Sequence, residues 1–540
     1  MTLVDLLWRT SGRRLVHLVV LSGVAGVGNA LVMAVASDAL LEDHADFGQL
    51  VKFVLAILIY AVAQGGVLRG SAREIAAIVH GLRLDLVDAI CRATVPALGS
   101  LPAADALTAV TRDLQAISQA ATALTLASQA AFLLLFTLLY LLWLTPAGCA
   151  VLLVAAAVIA LVLARRARHD RVGLDRAVAQ ERVLLGDITS LLDGFKEAKA
   201  SARRAHDQLS SIAVAAAATA AAKTQAAQSA ATAGVAVQTS VYLVLALVVF
   251  ALPLITATEL SVQHRTVTAL LFAAGSIGLL VQSIPVVAAA QEAARSLDAL
   301  IRRLPPEAVG NGELPDSPGH PALQDAVFTW ADASGRPTFE VGPATIGVAP
   351  GELVFIAGGN GSGKSTLLRM LAGLLPPASG TLRDGATPIT AANRQTYRDR
   401  IGSIPSDLHL FRKPYGLAPG PEALAVLLDE YELSDIVALR PDGTWSTVAL
   451  SGGQRKRLAM VQLQLSGPRV VILDEWAADQ DPGFRRVFYD RILPAFRERG
   501  CSTICATHDE RFFARADRCY TMRDGRLFPA DPRRALEGLT

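Results

Sequence analysis

The first 290 residues alternate between long apolar runs and polar segments, and no comparable apolar run follows them. Six runs approach or exceed the roughly 20 residues that a helix needs to cross the hydrocarbon core of a bilayer. These predicted membrane helices are Leu15–Ala36, Phe53–Leu68, Ala121–Trp143, Pro146–Ala164, Ala230–Leu252 and Val267–Val287. The second run is short, so we expect its helix to begin before Phe53 or to continue past Arg69. A signal peptide is the alternative for the first run, but the five runs behind it favour a retained helix.

The polar segments 69–120 and 165–223 are rich in Ala, Leu and Arg and contain few helix breakers. They are therefore predicted to continue the membrane helices into the cytoplasm, with turns near Pro96–Pro102 and Ser201–Leu209. The alanine-rich stretch 213–222 is either a low-complexity linker or helix, and helix is favoured because alanine is the best helix former.

Charge predicts the orientation of these helices. Segment 165–223 holds eleven Lys and Arg residues, whereas 37–51 holds none. By the positive-inside rule, both termini lie in the cytoplasm and the chain is a multi-pass protein of the cytoplasmic (inner) membrane.

Composition excludes several classes of protein. Hydrophobic residues make up 52% of the 540, and 50 Lys and Arg against 48 Asp and Glu give a net charge of +2, so no nucleic-acid partner is expected. The last four apolar runs contain no Asp, Glu, Lys or Arg, so ion-driven transport is not favoured and energy must enter elsewhere. The five scattered cysteines are expected to be reduced packing residues rather than metal ligands.

Proline and glycine punctuate segment 304–321, which is predicted to be a linker, and alternating strand and helix signals follow it. Glu352–Ala357 predicts a buried strand and Thr366–Leu374 a helix. Between them, Gly358–Ser365 has the pattern GxxxxGK[ST] in its required strand–loop–helix context. Backbone N–H groups and the helix N-terminus would bind phosphate, Lys364 would reach the β and γ phosphates, and Ser365 would ligate Mg²⁺.

Two further strands, Val470–Asp474 and Ser502–Thr507, are predicted to end in polar residues. Asp474 can hold the Mg²⁺ shell, Glu475 can orient or deprotonate a water, and His508 can sense the γ-phosphate. Taken alone, each has a plainer interpretation, as a capped strand or a surface histidine. Chain order behind the phosphate loop favours a nucleotide hydrolase.

The segment Leu450-Ser-Gly-Gly-Gln454 lies between the phosphate loop and the second carboxylate strand. With it, residues 322–528 resemble the nucleotide-binding domain of ABC transporters, and the six apolar runs resemble the exporter-type transmembrane domain. The resemblance implies an all-α six-helix membrane domain over 1–303, the linker 304–321, and an α/β P-loop ATPase domain over 322–540 with a mostly parallel sheet and a small, trimmed helical subdomain.

The resemblance also implies site residues. Trp330 would stack on adenine, although an ordinary strand aromatic is the alternative, and Ser406 stands where the family has a metal-coordinating glutamine. The implied ATP-binding residues are Trp330, Gly358, Gly359, Asn360, Gly361, Ser362, Gly363, Lys364, Ser365, Thr366, Leu450, Ser451, Gly452, Gly453, Gln454 and Asp481; the Mg²⁺ ligands are Ser365, Asp474 and Ser406; and the catalytic residues are Glu475, His508 and Lys364.

Finer motifs, among them SDLHLF (406–411), GFKEAK (194–199) and DEWAADQDPGFRRVFY (474–489), resemble the cyclic-peptide and siderophore-peptide exporter branch. This resemblance implies an ATP-driven homodimer in contact with membrane lipid that exports a peptide-like cargo by alternating access. The alternatives are a lipid flippase, a siderophore importer with the same fold, and a sensor that transports nothing. An outer-membrane or periplasmic partner is possible but not indicated.

Overall fold

The computed structural model describes residues 3–39, 47–101, 103–251, 260–308, 310–316, 320–332 and 334–531. The chain divides into two compact units. The first comprises Met1–Ala93 and Ala97–Pro305, and the second comprises Thr94–Pro96 and Pro306–Thr540.

Helices alone form the described part of the first unit. They are α1 (Leu3–Ala39), α2 (Phe47–Arg92), α3 (Val95–Gly99), α4 (Ala103–Thr108), α5 (Leu114–Leu144), α6 (Pro146–Asp193), α7 (Phe195–Lys199), α8 (Ala202–Ala246) and α9 (Leu260–Arg302), with π-helical turns at Ala109–Asp113 and Leu247–Ala251. Five helical stretches among the described residues are long and apolar enough to cross a membrane: Val19–Ser37, Phe47–Arg92, Asp105–Leu144, Ala202–Ala251 and Ser261–Arg302.

These stretches confirm five of the six predicted membrane helices. The fourth predicted membrane helix, Pro146–Ala164, is helical within α6, but the structure does not describe the side chains of many of its residues. It therefore stays a prediction. The short second run is indeed part of a longer helix, because α2 begins at Phe47 and continues to Arg92. The alanine-rich stretch 213–222 is helical within α8.

The predicted turn at Ser201–Leu209 is wrong by several residues. Helix α6 ends at Asp193, and α8 already begins at Ala202. The Ser201 hydroxyl accepts a hydrogen bond from the Arg204 backbone N–H at 3.4 Å, so Ser201 is the N-cap of α8. A serine in this position satisfies one of the free N–H groups of the first helical turn, which fixes where the helix starts.

Small residues and a polar pair lie where the membrane helices meet. A side chain on Gly28 would come within 3.0 Å of the Tyr60 backbone, so α1 and α2 approach closely there. The Gln64 amide donates to the Gln129 carbonyl oxygen at 3.4 Å, which joins α2 to α5. Both are usual devices of helix association in membranes, and Gln64 therefore has a structural role between helices.

The second unit contains two β-sheets. Its strands are β1 (Pro321–Ala331), β2 (Pro337–Gly347), β3 (Leu353–Gly358), β4 (Ser379–Asp384), β5 (Thr387–Pro388), β6 (Ile401–Ile404), β7 (Val470–Asp474), β8 (Ser502–Ala506), β9 (Arg518–Arg523) and β10 (Arg526–Ala530). One sheet has the order β2-β1-β4-β5 and is antiparallel. The other has the order β10-β9-β3-β8-β7-β6 and is parallel except at β10.

The helices of the second unit are α10 (Lys364–Leu371), α11 (Arg394–Arg398), α12 (Pro421–Glu430), α13 (Gly452–Ser466), α14 (Pro482–Val487) and α15 (Leu493–Glu498). The mostly parallel sheet confirms the predicted fold class, whereas the separate antiparallel sheet was not predicted. Between β6 and α13, a segment that the structure describes throughout, α12 is the single helix, which confirms a trimmed helical subdomain.

Strands β3, β7 and β8 are buried on both faces, as expected of parallel strands covered by helices. Neighbouring pairs align Phe355 with Cys505 and Asp474 with Ala506, so their carboxyl ends reach one edge of the sheet. Ligands of open parallel sheets bind at this edge.

All five cysteines are free thiols. Four are buried, as predicted for packing residues. Cys91 is exposed near the end of α2, so the prediction is wrong for this residue.

Candidate functional site: a phosphate loop and a separate signature cavity

A glycine-rich loop connects β3 to α10 at the carboxyl edge of the parallel sheet. It lines a cavity of about 520 Å³ together with Phe339 and Glu475; the loop residues are Asn360, Gly361, Ser362, Gly363, Lys364, Ser365 and Thr366. Gly363 directly precedes α10 and has a φ of 105°, a conformation that side-chain-bearing residues rarely adopt. The free N–H groups at the start of α10 therefore face a cavity suited to phosphate.

Lys364 is the first residue of α10, and its side chain is only 4% exposed. The ammonium group donates to the backbone carbonyls of Gly358 at 2.8 Å and Gly359 at 3.0 Å. Its Nζ also lies 3.3 Å from Glu475 Oε1. The loop thus curls around its own lysine and holds one buried positive charge beside the cavity.

Glu475 directly follows β7, and its carboxylate contacts the side chains of Lys364 and His508. Its Oε1 lies 2.9 Å from His508 Nε2 as well as 3.3 Å from Lys364 Nζ. Partial burial acts to raise the pKa of Glu475, but the hydrogen bonds from His508 and Lys364 and their charges outweigh it and hold the pKa below its usual value. Glu475 is therefore an anion at neutral pH.

Asp474 fits a magnesium ion. It is 5% exposed, and its Oδ1 atom is buried without a hydrogen-bond partner among the described residues. A buried carboxylate oxygen left unpaired is costly unless a cation or water completes it. The Ser365 hydroxyl lines the adjacent cavity, and Mg²⁺ usually takes one or two protein ligands together with phosphates and waters.

Trp330 lies beside the phosphate loop. Its indole N–H donates to the Thr366 hydroxyl at 3.1 Å, and its ring packs edge-on against Phe328 at 5.2 Å. Trp330 pairs with Phe339 across β1 and β2, and Phe339 lines the cavity. No local pattern predicts Phe339, because its position at the cavity depends on antiparallel pairing between two strands.

The LSGGQ residues do not join the phosphate loop. A second cavity of about 420 Å³, here named the signature cavity, is lined by Ser451, Gly452, Gly453 and Gln454 together with Arg457, Asp479 and Asp481. The helix that begins with these residues, α13, is named the signature helix. Ser451 caps α13: its hydroxyl accepts from the Gln454 N–H, and the Gln454 side chain accepts from the Ser451 N–H. This reciprocal capping satisfies two backbone N–H groups at the start of α13.

Seven predicted residues lie outside both cavity linings: Trp330, Gly358, Gly359, Ser406, Leu450, Asp474 and His508. Ser406 is exposed in the loop after β6, so a metal contact from its hydroxyl would have to pass through water. Leu450 packs partly buried against the core of the second unit. His508 is absent from the lining and acts on the cavity through its contact with Glu475.

Two cations next to the LSGGQ segment were missed by the sequence reasoning: Lys456 is buried, and the side chain of Arg457 is 11% exposed. Lys456 contacts the backbone of Glu475 and the carboxylate of Asp479. Arg457 donates to Gln480, Glu432 and Asp481, and its guanidinium lies 3.8 Å from the Phe484 ring centroid. Their partners lie on other segments, which no local pattern reveals.

Known proteins are similar to this chain in sequence and in fold. The sequence profile of the family described as "ABC transporter" matches residues 341–478. The ATP-binding protein SyrD of Pseudomonas syringae pv. syringae is 34% identical over 315 residues, which cover 56% of this chain and 56% of SyrD. The lipoprotein-releasing system ATP-binding protein LolD 2 of Chlorobaculum tepidum is 33% identical over 205 residues, 34% of this chain and 81% of LolD 2.

A solved structure extends the likeness to the whole chain. A bacterial Atm1-family ABC exporter with ATP bound superimposes with a TM-score of 0.77, covering 98% of this chain and 97% of that chain, at 18% identity. That likeness concerns the fold.

The chain therefore belongs to the ABC transporter family. It has the fold of an exporter-type half-transporter, in which several apolar helices precede an α/β domain with a phosphate loop on one chain. The alignment with SyrD spans about half the length of that protein.

Proposed function

We propose that this chain is an ATP-driven exporter that works as a homodimer and carries a peptide out of the cytoplasm, such as a cyclic peptide, a lipopeptide or a peptide siderophore. Residues 1–303 are the transmembrane domain, 304–321 the linker and 322–540 the ATPase domain. Both termini lie on the cytoplasmic side of the inner membrane.

The observation that carries this proposal is the separation of the two cavities. The phosphate loop lines one and the LSGGQ residues line the other, so one chain supplies two halves of different sites. In the family that the motifs resemble, ATP lies between the phosphate loop of one domain and the LSGGQ segment of another. Two copies related by a two-fold axis complete both sites at once.

The phosphate cavity supports hydrolysis in this dimer. Lys364 neutralises phosphate charge, and the anionic Glu475 orients the attacking water or accepts its proton, with His508 fixing the carboxylate. Ser365 and Asp474 would hold Mg²⁺, which supplies charge neutralisation on the phosphates when bound.

The cargo assignment rests on two features of the membrane unit and of the motifs. The last four predicted membrane helices carry no charged side chains, which suits a neutral or amphipathic cargo. The motifs GFKEAK and DEWAADQDPGFRRVFY favour peptides over other amphipathic solutes, because they resemble the peptide-exporter branch.

ATPase activity of the lipid-reconstituted protein tests the proposal. Wild type and Glu475→Gln are assayed against matched concentrations of peptides, peptide siderophores and lipids. The variant should bind ATP normally and turn over roughly 10²–10⁴-fold more slowly, because the acid–base contribution is lost. Selective stimulation by peptides, with uptake into inverted vesicles, supports export. Stimulation by lipids alone identifies a flippase, and ATPase activity without flux identifies a sensor. Uptake in the opposite direction identifies an importer.

Cross-linking tests the homodimer. A Cys91→Ser background removes the exposed thiol. Asn360→Cys and Ser451→Cys are then introduced into separate chains, one in each cavity. A short bifunctional maleimide should join the two chains only when ATP is present and Glu475→Gln prevents turnover. In the matched control, both chains carry Asn360→Cys, so that each probe lies in the phosphate cavity of its own chain. This pair should yield no cross-linked product. An equal yield in the two pairings contradicts the head-to-tail dimer.

A further inference from the structure

Lys456 lies in the second turn of α13, and only 5% of it is exposed. Lysine is almost never this buried unless its charge is paired, because desolvating an ammonium group costs several kcal/mol. Its Nζ donates to the backbone carbonyl of Glu475 at 2.7 Å and lies 2.8 Å from Asp479 Oδ2. Lys456 thus joins the signature helix to the residue that faces the phosphate cavity.

The backbone of Glu475 needs such support. Its φ of 51° and ψ of 39° place it in the left-handed region, which is unfavourable for a residue with a side chain. Three hydrogen bonds hold this conformation: the Glu475 N–H donates to the Ala506 carbonyl at 3.1 Å, and the Glu475 carbonyl accepts from the Ala478 N–H at 3.3 Å and from Lys456. The left-handed turn aims the Glu475 side chain at Lys364 and His508 instead of along β7.

Lys456 is itself held in place. The indole N–H of Trp476, a fully buried residue, donates to the Lys456 carbonyl at 2.9 Å. The other partner of its ammonium group, Asp479, lines the signature cavity. One side chain therefore contacts both the turn that directs Glu475 and a wall of the cavity that holds LSGGQ.

We propose that Lys456 is a positioning residue for ATP hydrolysis: it fixes the backbone turn of Glu475 and ties that turn to Asp479 at the signature cavity. The inference rests on the proposed function, since it assigns a role within the same hydrolysis site. Loss of Lys456 would misplace the Glu475 carboxylate while leaving the phosphate loop intact, so it would lower kcat and spare ATP affinity.

The test compares Lys456→Met and Lys456→Gln in the lipid-reconstituted full chain. Methionine fills the volume but removes both contacts, whereas glutamine keeps a donor for the Glu475 carbonyl and loses the ion pair. Misplacing a catalytic group by about 1 Å can cost 10²-fold. We expect kcat to fall roughly 10- to 100-fold in Lys456→Met and by a smaller factor in Lys456→Gln, with the ATP dissociation constant within about 3-fold of wild type.

Arg400 provides a matched control. It is also a largely covered cation, with its side chain 15% exposed, that donates to one carboxylate, Asp384 at 3.1 Å, and one backbone carbonyl, Leu314 at 3.0 Å, and it lines neither cavity. Arg400→Met should lower the melting temperature, as Lys456→Met does, but leave kcat per folded molecule within about 2-fold of wild type, because it is not near the reacting groups.

Each result decides the matter. Unchanged kcat in Lys456→Met, a change in KM alone, or an equal loss of kcat in Arg400→Met overturns the role of Lys456. If Lys456→Met does not fold, Lys456→Gln decides alone, and a wild-type kcat overturns the proposal. Absence of ATPase activity in wild type would instead refute the proposed function, so the two failures are distinguishable.

Discussion

Two adjacent glycines begin the phosphate loop, and alanine should destabilise the fold at Gly358 but leave its stability almost unchanged at Gly359. Gly358 pairs with Met522 in the β3–β9 ladder and has a φ of 146°, where a side chain is strained. An added Cβ would lie 2.4 Å from the Met522 carbonyl oxygen and 2.9 Å from Ser362 Oγ. At Gly359 no atom lies within 4 Å of an added Cβ, so alanine there meets open space.

The expected cost of Gly358→Ala follows from these two terms. A positive φ costs a non-glycine residue about 1–2 kcal/mol. Forcing a methyl group against a strand backbone adds about 1–3 kcal/mol. The sum, about 2–5 kcal/mol, should lower the melting temperature by roughly 4–20 °C for a unit of this size. Gly359→Ala should stay within about 0.5 kcal/mol of wild type.

Thermal unfolding followed by tryptophan fluorescence measures the difference, with each variant in the same lipid. ATP affinity is measured in parallel with a fluorescent nucleotide. Gly358 and Gly359 both accept from Lys364 through their carbonyls, so the pair is matched for that contact. Gly358→Ala should weaken nucleotide binding at least about tenfold, which corresponds to 1.4 kcal/mol. Equal melting temperatures for the two variants would refute the reasoning.

Three further predictions concern other parts of the chain. Arg457→Met should destabilise the second unit by about 1–3 kcal/mol, from lost cation–π and ion-pair contacts, and Arg457→Lys should recover only part of the melting temperature because lysine lacks the planar fork. In native protein at neutral pH, maleimide should label Cys91 alone, as measured by mass spectrometry. The other four thiols are buried, and burial raises the pKa of Cys519 to about 11. Labelling of all five without denaturant contradicts this. Because the pKa of Glu475 is lowered in the folded state, its ion pairs stabilise the fold above its usual pKa, and this stabilisation is lost as the pH falls through the folded value. The melting-temperature advantage of wild type over Glu475→Gln should therefore shrink below about pH 4.5. An advantage that grows on acidification contradicts this.

Local patterns predicted the parts of this protein that depend on neighbours in sequence. The phosphate loop is a strand, a turn and a helix in succession, and the strand Val470–Asp474 has the predicted bounds. The membrane helices follow from unbroken apolar length alone. The sequence also contains a local signal for the start of α8, because Ser201 is a good N-cap. The turn was nevertheless predicted several residues too far along the chain.

Contacts between distant segments account for what the sequence could not predict. The antiparallel sheet arises from pairing between β1, β2 and β4, which requires knowledge of register. Lys456 reaches a carbonyl 19 residues away, and Arg457 reaches a carboxylate 25 residues away. In sequence, both look like solvated charges on a helix, and only the folded chain shows that Lys456 is buried and Arg457 largely covered.

The separation of the phosphate cavity from the signature cavity has a genetic consequence in the proposed homodimer. A chain with a lesion at Lys364 and a chain with a lesion at Ser451 would each be inactive alone. Random assembly of equal amounts gives about half mixed dimers, by two-fold pairing. In each mixed dimer, both lesions fall in the same composite site and the other site is intact. Two recessive alleles of one gene would then complement each other, whereas two alleles that damage the same cavity would not.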